Sequence, residues 1–440
     1  MSAIRVGPAA VRARLVAALA LASASLAMPT GASGQAPASC PVPGPVVGDL
    51  DQPMAAVRYL ADDALEGRLS GAPGERCAAE YIAAEFERIG LAPGGSDGSF
   101  LQPIELQSAV AAHAPAGTGS NAVGVLEGSD PALRGEYVVL GAHHDHLGHG
   151  EVFGSLAGPE DAGDDIHNGA DDNASGVGAL LAAAEALAAD PPARSVVFIT
   201  FSGEEFGLLG SAHYLRSAQS PANIVAMINL DMVGRLADRP LIVNGTGTAE
   251  EWGAILDSLE SATGIPLARS PDGYGPSDHT SFYAQDIPVL HFFTNVHGEY
   301  HRPSDEWELV DAEGLDRVAG LVEGVIRSVA DRPSPIVHIA GAGTPPGQQS
   351  GGYGAYLGTV PDFAPVDFGV RLSGVSGGSP AEAAGFQAGD ILIRLGTFEI
   401  GDLYALTEAL QTLQPGDQVD AVLLRDGVEI TVPVTLRQRP

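Results

Sequence analysis

The 440-residue sequence has no lysine: all 22 of its basic residues are arginine. That absence excludes Schiff-base and pyridoxal chemistry on a lysine, and a phosphate loop of the Walker type. Cysteine is nearly absent as well, with only Cys40 and Cys77. A disulfide-built scaffold is therefore excluded, although in an oxidising compartment the two could pair and tie the N-terminal arm to the first helix. Basic charge is scarce against 55 acidic residues, giving a net charge of −33. Nucleic acid and anionic membrane surfaces both require a positive patch, so neither is expected as a partner. An excess of carboxylates instead suits divalent cations or cationic ligands. Long apolar runs are missing too. The longest, Leu15–Met28, is shorter than the ~20 residues of a spanning helix and follows Arg5, Arg12 and Arg14. Small residues Ala32-Ser33-Gly34-Gln35-Ala36 come next. This is the pattern of a secretory signal over 1–36, so an exported protein, periplasmic or secreted, is expected.

What remains is globular in composition, with 45% hydrophobic residues. Residues 45–332 alternate strand-like and helix-like segments. Helices are expected over 76–90, with Ile82, Phe86 and Ile89 on one face and Gly90 as the stop, and at about 175–189, 206–217, 249–263 and 311–330. Between them lie short, wholly apolar runs at Tyr137–Gly141, Ser195–Phe201, Ile224–Leu230 and Val289–Phe293. Such runs suit strands covered on both faces, and the alternation implies an α/β three-layer sandwich with a mixed, largely parallel central sheet. Residues 333–352, rich in Pro, Gly and Ser, read as a linker, and 353–437 as a separate small β/α unit.

Each apolar strand runs into possible metal ligands. The first leads to His143-His144-Asp145-His146, the second to Glu204-Glu205, the third to Asp231, and the fourth, after a loop, to Tyr300-His301-Arg302-Pro303-Ser304-Asp305. A further acidic turn, Asp171-Asp172-Asn173, opens the helix at about 175. Open α/β sheets form their sites beyond the carboxyl ends of the strands, so these clusters can converge. Taken singly, each has an ordinary reading as a surface histidine, a helix N-cap or solvated acids. Mixed His and carboxylate donors suit Zn²⁺, Mn²⁺ or Co²⁺, and one carboxylate can bridge a metal pair.

The order Gly-Ala-His-His-Asp, Gly-Ala-Asp-Asp-Asn-Ala-Ser-Gly, Ser-Gly-Glu-Glu, Asn-Leu-Asp-Met and Tyr-His-Arg-Pro-Ser-Asp resembles the M28 family of co-catalytic zinc peptidases, mostly aminopeptidases. The likeness covers about 55–330, including Leu65-Glu66-Gly67-Arg68. It implies two Zn²⁺ per chain. His143 and Asp231 would hold one, Glu205 and His301 the other, with Asp172 bridging; an alternative alignment makes Asp171 the bridge. Glu204 would be the general base, and Asp145 would accept the second ring N–H of His143 and so set its tautomer. In some relatives the peptide bond after the bridging acid is cis, so Asp172–Asn173 is a candidate for the same. The segment around Ser277, Asp278 and His279 matches one that lines the substrate side, with a helix N-cap as its plain reading. His144, His146, His149 and His167 are given no role, and 147–168 is read as an insertion that shapes the cleft.

Residues 353–437 resemble a PDZ domain. Tyr356, Leu357 and Gly358 would form its carboxylate loop, Leu403 and Leu406 would line its side-chain pocket, and a peptide C-terminus would bind by strand addition. A folded cap without a ligand is the alternative. The resemblance thus implies an aminopeptidase acting on peptides. Glutaminyl cyclase-like or carboxypeptidase activity on the same scaffold is the runner-up, and a PDZ-mediated binding protein with a silent peptidase domain is a third reading.

Overall fold

The structure, a computed structural model, describes residues 39–42, 52–106, 117–150, 154–158, 161, 163, 165–217, 223–342, 355–361, 366, 368–375, 378–401 and 403–437. The expected signal over 1–36, and residues 343–352 of the expected linker, lie outside them.

The chain begins with α1 (Gln52–Leu60) and α2 (Pro73–Ile89). Helix α2 has Pro73 at its start, where a missing N–H costs nothing, and stops at Gly90, whose φ of 90° suits only glycine comfortably. A disulfide joins Cys40 to Cys77 in α2. Strands β1 (Ala92–Pro93), β2 (Leu101–Glu105) and β3 (Thr118–Leu126) form an antiparallel margin that the sequence reading did not anticipate. Next come β4 (Tyr137–His143), α3 (Gly176–Ala189), β5 (Ser195–Phe201), α4 (Leu209–Arg216) and β6 (Ile224–Leu230). They are followed by β7 (Leu241–Asn244), α5 (Trp252–Thr263), β8 (Leu267–Arg269), α6 (His279–Tyr283), β9 (Val289–Phe293) and α7 (Ala312–Ala330).

The sheet runs β1-β3-β5-β4-β6-β9-β7-β8, with β2 on β3. Its centre, β5-β4-β6-β9, is parallel, whereas β3 and β7 join antiparallel. Period-two alternation sends Val138, Leu140, Val196 and Phe198 into the core shared with α1, α3, α5 and α7. Their neighbours Val139, Val197, Ile199 and Phe201 pack on the other face against Tyr214 and Phe282 of α4 and α6. The sheet is therefore buried on both faces, the condition that makes central strands continuously apolar. Strand β4 pairs with β5 on one side and with β6 on the other, so the chain reverses its winding there. A crevice opens at such a switch point, beyond the carboxyl ends of the strands.

The C-terminal unit holds β10 (Thr359–Pro361), β11 (Val370–Val375), α8 (Pro380–Ala383), β12 (Ile391–Leu395), β13 (Phe398–Glu399), α9 (Leu403–Thr412), β14 (Gln418–Arg425) and β15 (Val428–Thr435). They form an antiparallel sheet, β10-β11-β12-β14-β15, around its own apolar core. The side chains of Leu357 and Leu406 are buried in that core. The backbone N–H of Tyr356 donates to the carbonyl of Arg437, so this amide is not available to a carboxylate. Gly358 has φ 81°, and a Cβ there would meet Ser379 at 2.2 Å. The side chain of Leu403 lies outside the described residues.

Arg68 ties the first segment to the site. It is fully buried and donates to the backbone carbonyls of Leu60, His144, Asn168 and Gly169. Burial lowers its guanidinium to about 10, against the pull of Asp145, Asp172 and Asp305, so it stays charged at neutral pH. Arg68→Met would leave those carbonyls without donors, and a loss of about 3–5 kcal/mol in unfolding free energy is expected. Denaturant titration of the metal-free protein checks this, and an unchanged midpoint would contradict it.

Candidate metal centre

Four strand ends and one turn supply the donors. His143 closes β4, Glu204 and Glu205 follow β5, Asp231 follows β6, and His301 lies in the loop after β9. Asp172 sits in the turn Ala170–Ser175 that leads into α3. This turn is held from several sides. Asp305 accepts from the N–H groups of Asp171 and Asp172 (2.9 and 3.1 Å), and Arg235 pairs with its other oxygen at 2.9 Å. Asn173 donates to the Leu230 carbonyl and accepts from Met232 N–H, which ties the turn to the end of β6. Gly169, at φ 53°, is required where a Cβ would lie 2.1 Å from the Asp172 carbonyl. The Asp172–Asn173 peptide bond is cis.

These constraints aim the side chains at one another. His143 Nε2 lies 3.2 Å from Asp172 Oδ1 and 3.4 Å from Asp231 Oδ1. His301 Nε2 lies 3.2 Å from Asp172 Oδ2 and 3.3 Å from Glu205 Oε2. One carboxylate thus presents a different oxygen to each imidazole. Asp171 takes another part: it accepts from His297 Nε2 (3.1 Å), Gly234 N–H and Ser175. Of the two alignments, only Asp172 stands between the histidines.

The donor set fits a divalent ion on two counts. Both histidines direct Nδ1 at a backbone carbonyl, His143 at Asp145 (3.2 Å) and His301 at Gly154 (2.8 Å). With Nδ1 as donor, each neutral ring turns an Nε2 lone pair toward carboxylate oxygens, a contact that needs a cation or a proton between. Moreover, two ligands of a tetrahedral zinc ion, each ~2.05 Å from it, stand roughly 3.3 Å apart. The separations of 3.2–3.4 Å match that spacing.

Electrostatics separates the two adjacent glutamates. Burial raises the Glu204 carboxyl well above its ordinary range, with Asp231, Asp278 and Glu205 adding to the effect and His143 opposing it. Burial also works against ionised Glu205, yet His301 and His146 hold it down to about 2. Asp172 likewise falls well below the usual range despite burial, because His143 and His301 bond to it. Neighbouring carboxyls pushed apart in this way suit different tasks: Glu205 as a permanent anion and Glu204 as a group that gains and loses a proton.

Several expected roles change. Asp145 does not take the ring N–H of His143 through its carboxylate, which is 3.8 Å away; its backbone carbonyl does so instead. The carboxylate accepts from Ser70 Oγ at 2.7 Å and from the Glu204 N–H at 3.2 Å, so it anchors the Glu204 backbone. Ser277, Asp278 and His279 are fully buried, whereas their neighbour Pro276 lines the cleft. Asp278 occupies the N-cap position of α6, with no side-chain cap bond among the described residues. His146, given no role from sequence, donates its Nδ1–H to Glu205 Oε1 at 2.7 Å. Insertion residues clamp His301 on both sides, Gly154 through the ring and Leu156 through the backbone. Besides the donors, the cavity is lined by Met232, Asn244, Pro276, His291, Phe293, Val296 and Tyr300.

An α/β sandwich with a buried His/carboxylate cage at its switch point has the layout of a metallopeptidase. Residues 121–326 match the model described as Peptidase family M28, and residues 355–436 match that of the PDZ domain. The chain thus contains a peptidase family M28 domain and a PDZ domain. It is similar to leupeptin-inactivating enzyme 1 of Streptomyces exfoliatus, 26% identical over 84% of this chain and 80% of that protein. It is also similar to aminopeptidase YwaD of Bacillus subtilis, 31% identical over 36% of this chain and 37% of that protein. Among solved structures, a Zn-dependent exopeptidase from Parabacteroides distasonis superposes with a TM-score of 0.52 at 20% identity, covering 65% of this chain and all of the other.

Proposed function

We propose that this protein is an exported aminopeptidase that holds two zinc ions and removes N-terminal residues from peptides. The observation that carries the reading is the Asp172 carboxylate, with one oxygen 3.2 Å from His143 and the other 3.2 Å from His301. His143, Asp172 and Asp231 would hold one ion, and His301, Asp172 and Glu205 the other, with His146 orienting Glu205. Zinc bound there supplies Lewis acidity, polarising the scissile carbonyl and easing deprotonation of water; Mn²⁺ or Co²⁺ would serve similarly. Glu204, outside both ligand sets, accepts a proton from the attacking water and returns it to the leaving nitrogen as the C–N bond breaks. Asp145 holds the Glu204 backbone in place for that transfer. Export is supported by the Arg-flanked apolar run at the N-terminus and by the Cys40–Cys77 disulfide, a bond of oxidising compartments. The PDZ domain would hold a peptide C-terminus beside a sheet edge.

Elemental analysis after zinc reconstitution is expected to find two metal ions per chain. Dialysis against a chelator should lower hydrolysis of aminoacyl reporters by more than about 100-fold, and added zinc or cobalt should restore it. One ion per chain would favour the cyclase chemistry, and activity that survives full metal removal would overturn the reading.

A further inference from the structure

Part of the cavity lining is not used by the chemistry above. One stretch of its wall is apolar, formed by Met232, Phe293 and Val296, which pack together with Tyr300 at their edge. His291 also lines the cavity, on the same face of β9 as Phe293 and 3% exposed, although its Nε2 has no hydrogen-bond partner among the described residues. Its other nitrogen faces Asn244 Nδ2 at 3.3 Å, and the two residues are register partners across β7 and β9. An amide N–H aimed at Nδ1 makes that nitrogen the acceptor, so the hydrogen of the neutral ring lies on Nε2. Burial, which lowers this imidazole to about 4, keeps it neutral at working pH. The ring is also fixed in place, stacked on His279 at 4.4 Å and on Phe293 at 5.8 Å. A buried N–H donor left unmatched costs free energy, and a cavity lined by the ring that carries it offers room for an acceptor.

We infer that His291, oriented by Asn244, is a specificity determinant, and that the cavity takes an N-terminal residue with a neutral, unbranched side chain ending in a hydrogen-bond acceptor, such as glutamine. The apolar wall would cover the methylenes, and Nε2–H would donate to the terminal oxygen. This inference rests on the aminopeptidase reading for the identity of the ligand, but not for the polarity of the cavity.

The test compares glutaminyl and norleucyl reporters, which are alike in length and differ in the acceptor, on the zinc-reconstituted full-length protein and its His291→Phe variant. Calorimetric binding of free glutamine and free norleucine is measured in parallel. The glutaminyl-to-norleucyl ratio of kcat/KM is expected to fall about tenfold in the variant, the worth of one hydrogen bond. The glutamine-to-norleucine ratio of binding constants should move in the same direction. Asn244→Leu, which frees Nδ1 and lets the ring change tautomer, should lower both ratios and carries the test should His291→Phe not fold. Ratios equal in wild type and variants overturn the inference while leaving the proposed activity intact. If the wild type cleaves neither reporter, the aminopeptidase reading fails, and the binding ratios alone then decide whether His291 selects an acceptor.

Discussion

Glu204→Gln is expected to lower kcat by about 10³-fold, the usual worth of a positioned general base, while the protein still binds two metal ions. The reasons are geometric and electrostatic. Glu204 lies next to a ligand but outside both ligand sets, and its N–H is held by Asp145 at 3.2 Å. Glutamine keeps the size and the backbone bond but cannot receive a proton. Burial and three nearby carboxylates raise the glutamate's proton affinity, which suits a group that takes up a proton. Steady-state kinetics with metal analysis on the same sample provides the check. A variant that keeps more than about a tenth of wild-type kcat would remove Glu204 from the mechanism, whereas one that loses metal would make it a ligand.

Asp172→Ala should have a still larger effect, because it strips an oxygen from both ligand sets at once. The two Nε2 atoms that face it would lose their shared anion, and metal content is expected to fall to one ion per chain or fewer. A decline in kcat/KM on the order of 10⁴-fold should accompany it, the equivalent of several kcal/mol of transition-state stabilisation. Asp171→Ala provides the contrast. That carboxylate accepts from His297, Ser175 and the Gly234 N–H, so its loss should cost about 1–3 kcal/mol of stability while both metal ions remain. If Asp171→Ala, and not Asp172→Ala, abolished metal binding, the bridge would have been assigned to the wrong neighbour.

The central strands were legible because burial on both faces forces continuous apolar runs. Ser195–Phe201, Ile224–Leu230 and Val289–Phe293 are read from sequence with the ends the structure has. Strands β1–β3, β7 and β8 were not legible, since short edge strands alternate weakly and gain their order from a neighbour. The donors were legible because most of them close or directly follow a strand or precede a helix, with His301 after a loop. His146 was not: it stands among four nearby histidines, and only its 2.7 Å approach to Glu205 sets it apart. Ser277, Asp278 and His279 carry a family-like motif, yet packing buries them and exposes Pro276.

By itself the sequence determined the kinds of donor available, the strand ends that carry them and the lack of any lysine for other chemistry. It did so because local periodicity and residue type are properties of the chain. Which carboxylate stands between the histidines, which carbonyls set their tautomers, and that His291 and Asn244 line the cavity were decided only by tertiary structure. Those choices depend on distances between residues far apart in the chain, from Arg68 to Asp305, which no local pattern encodes.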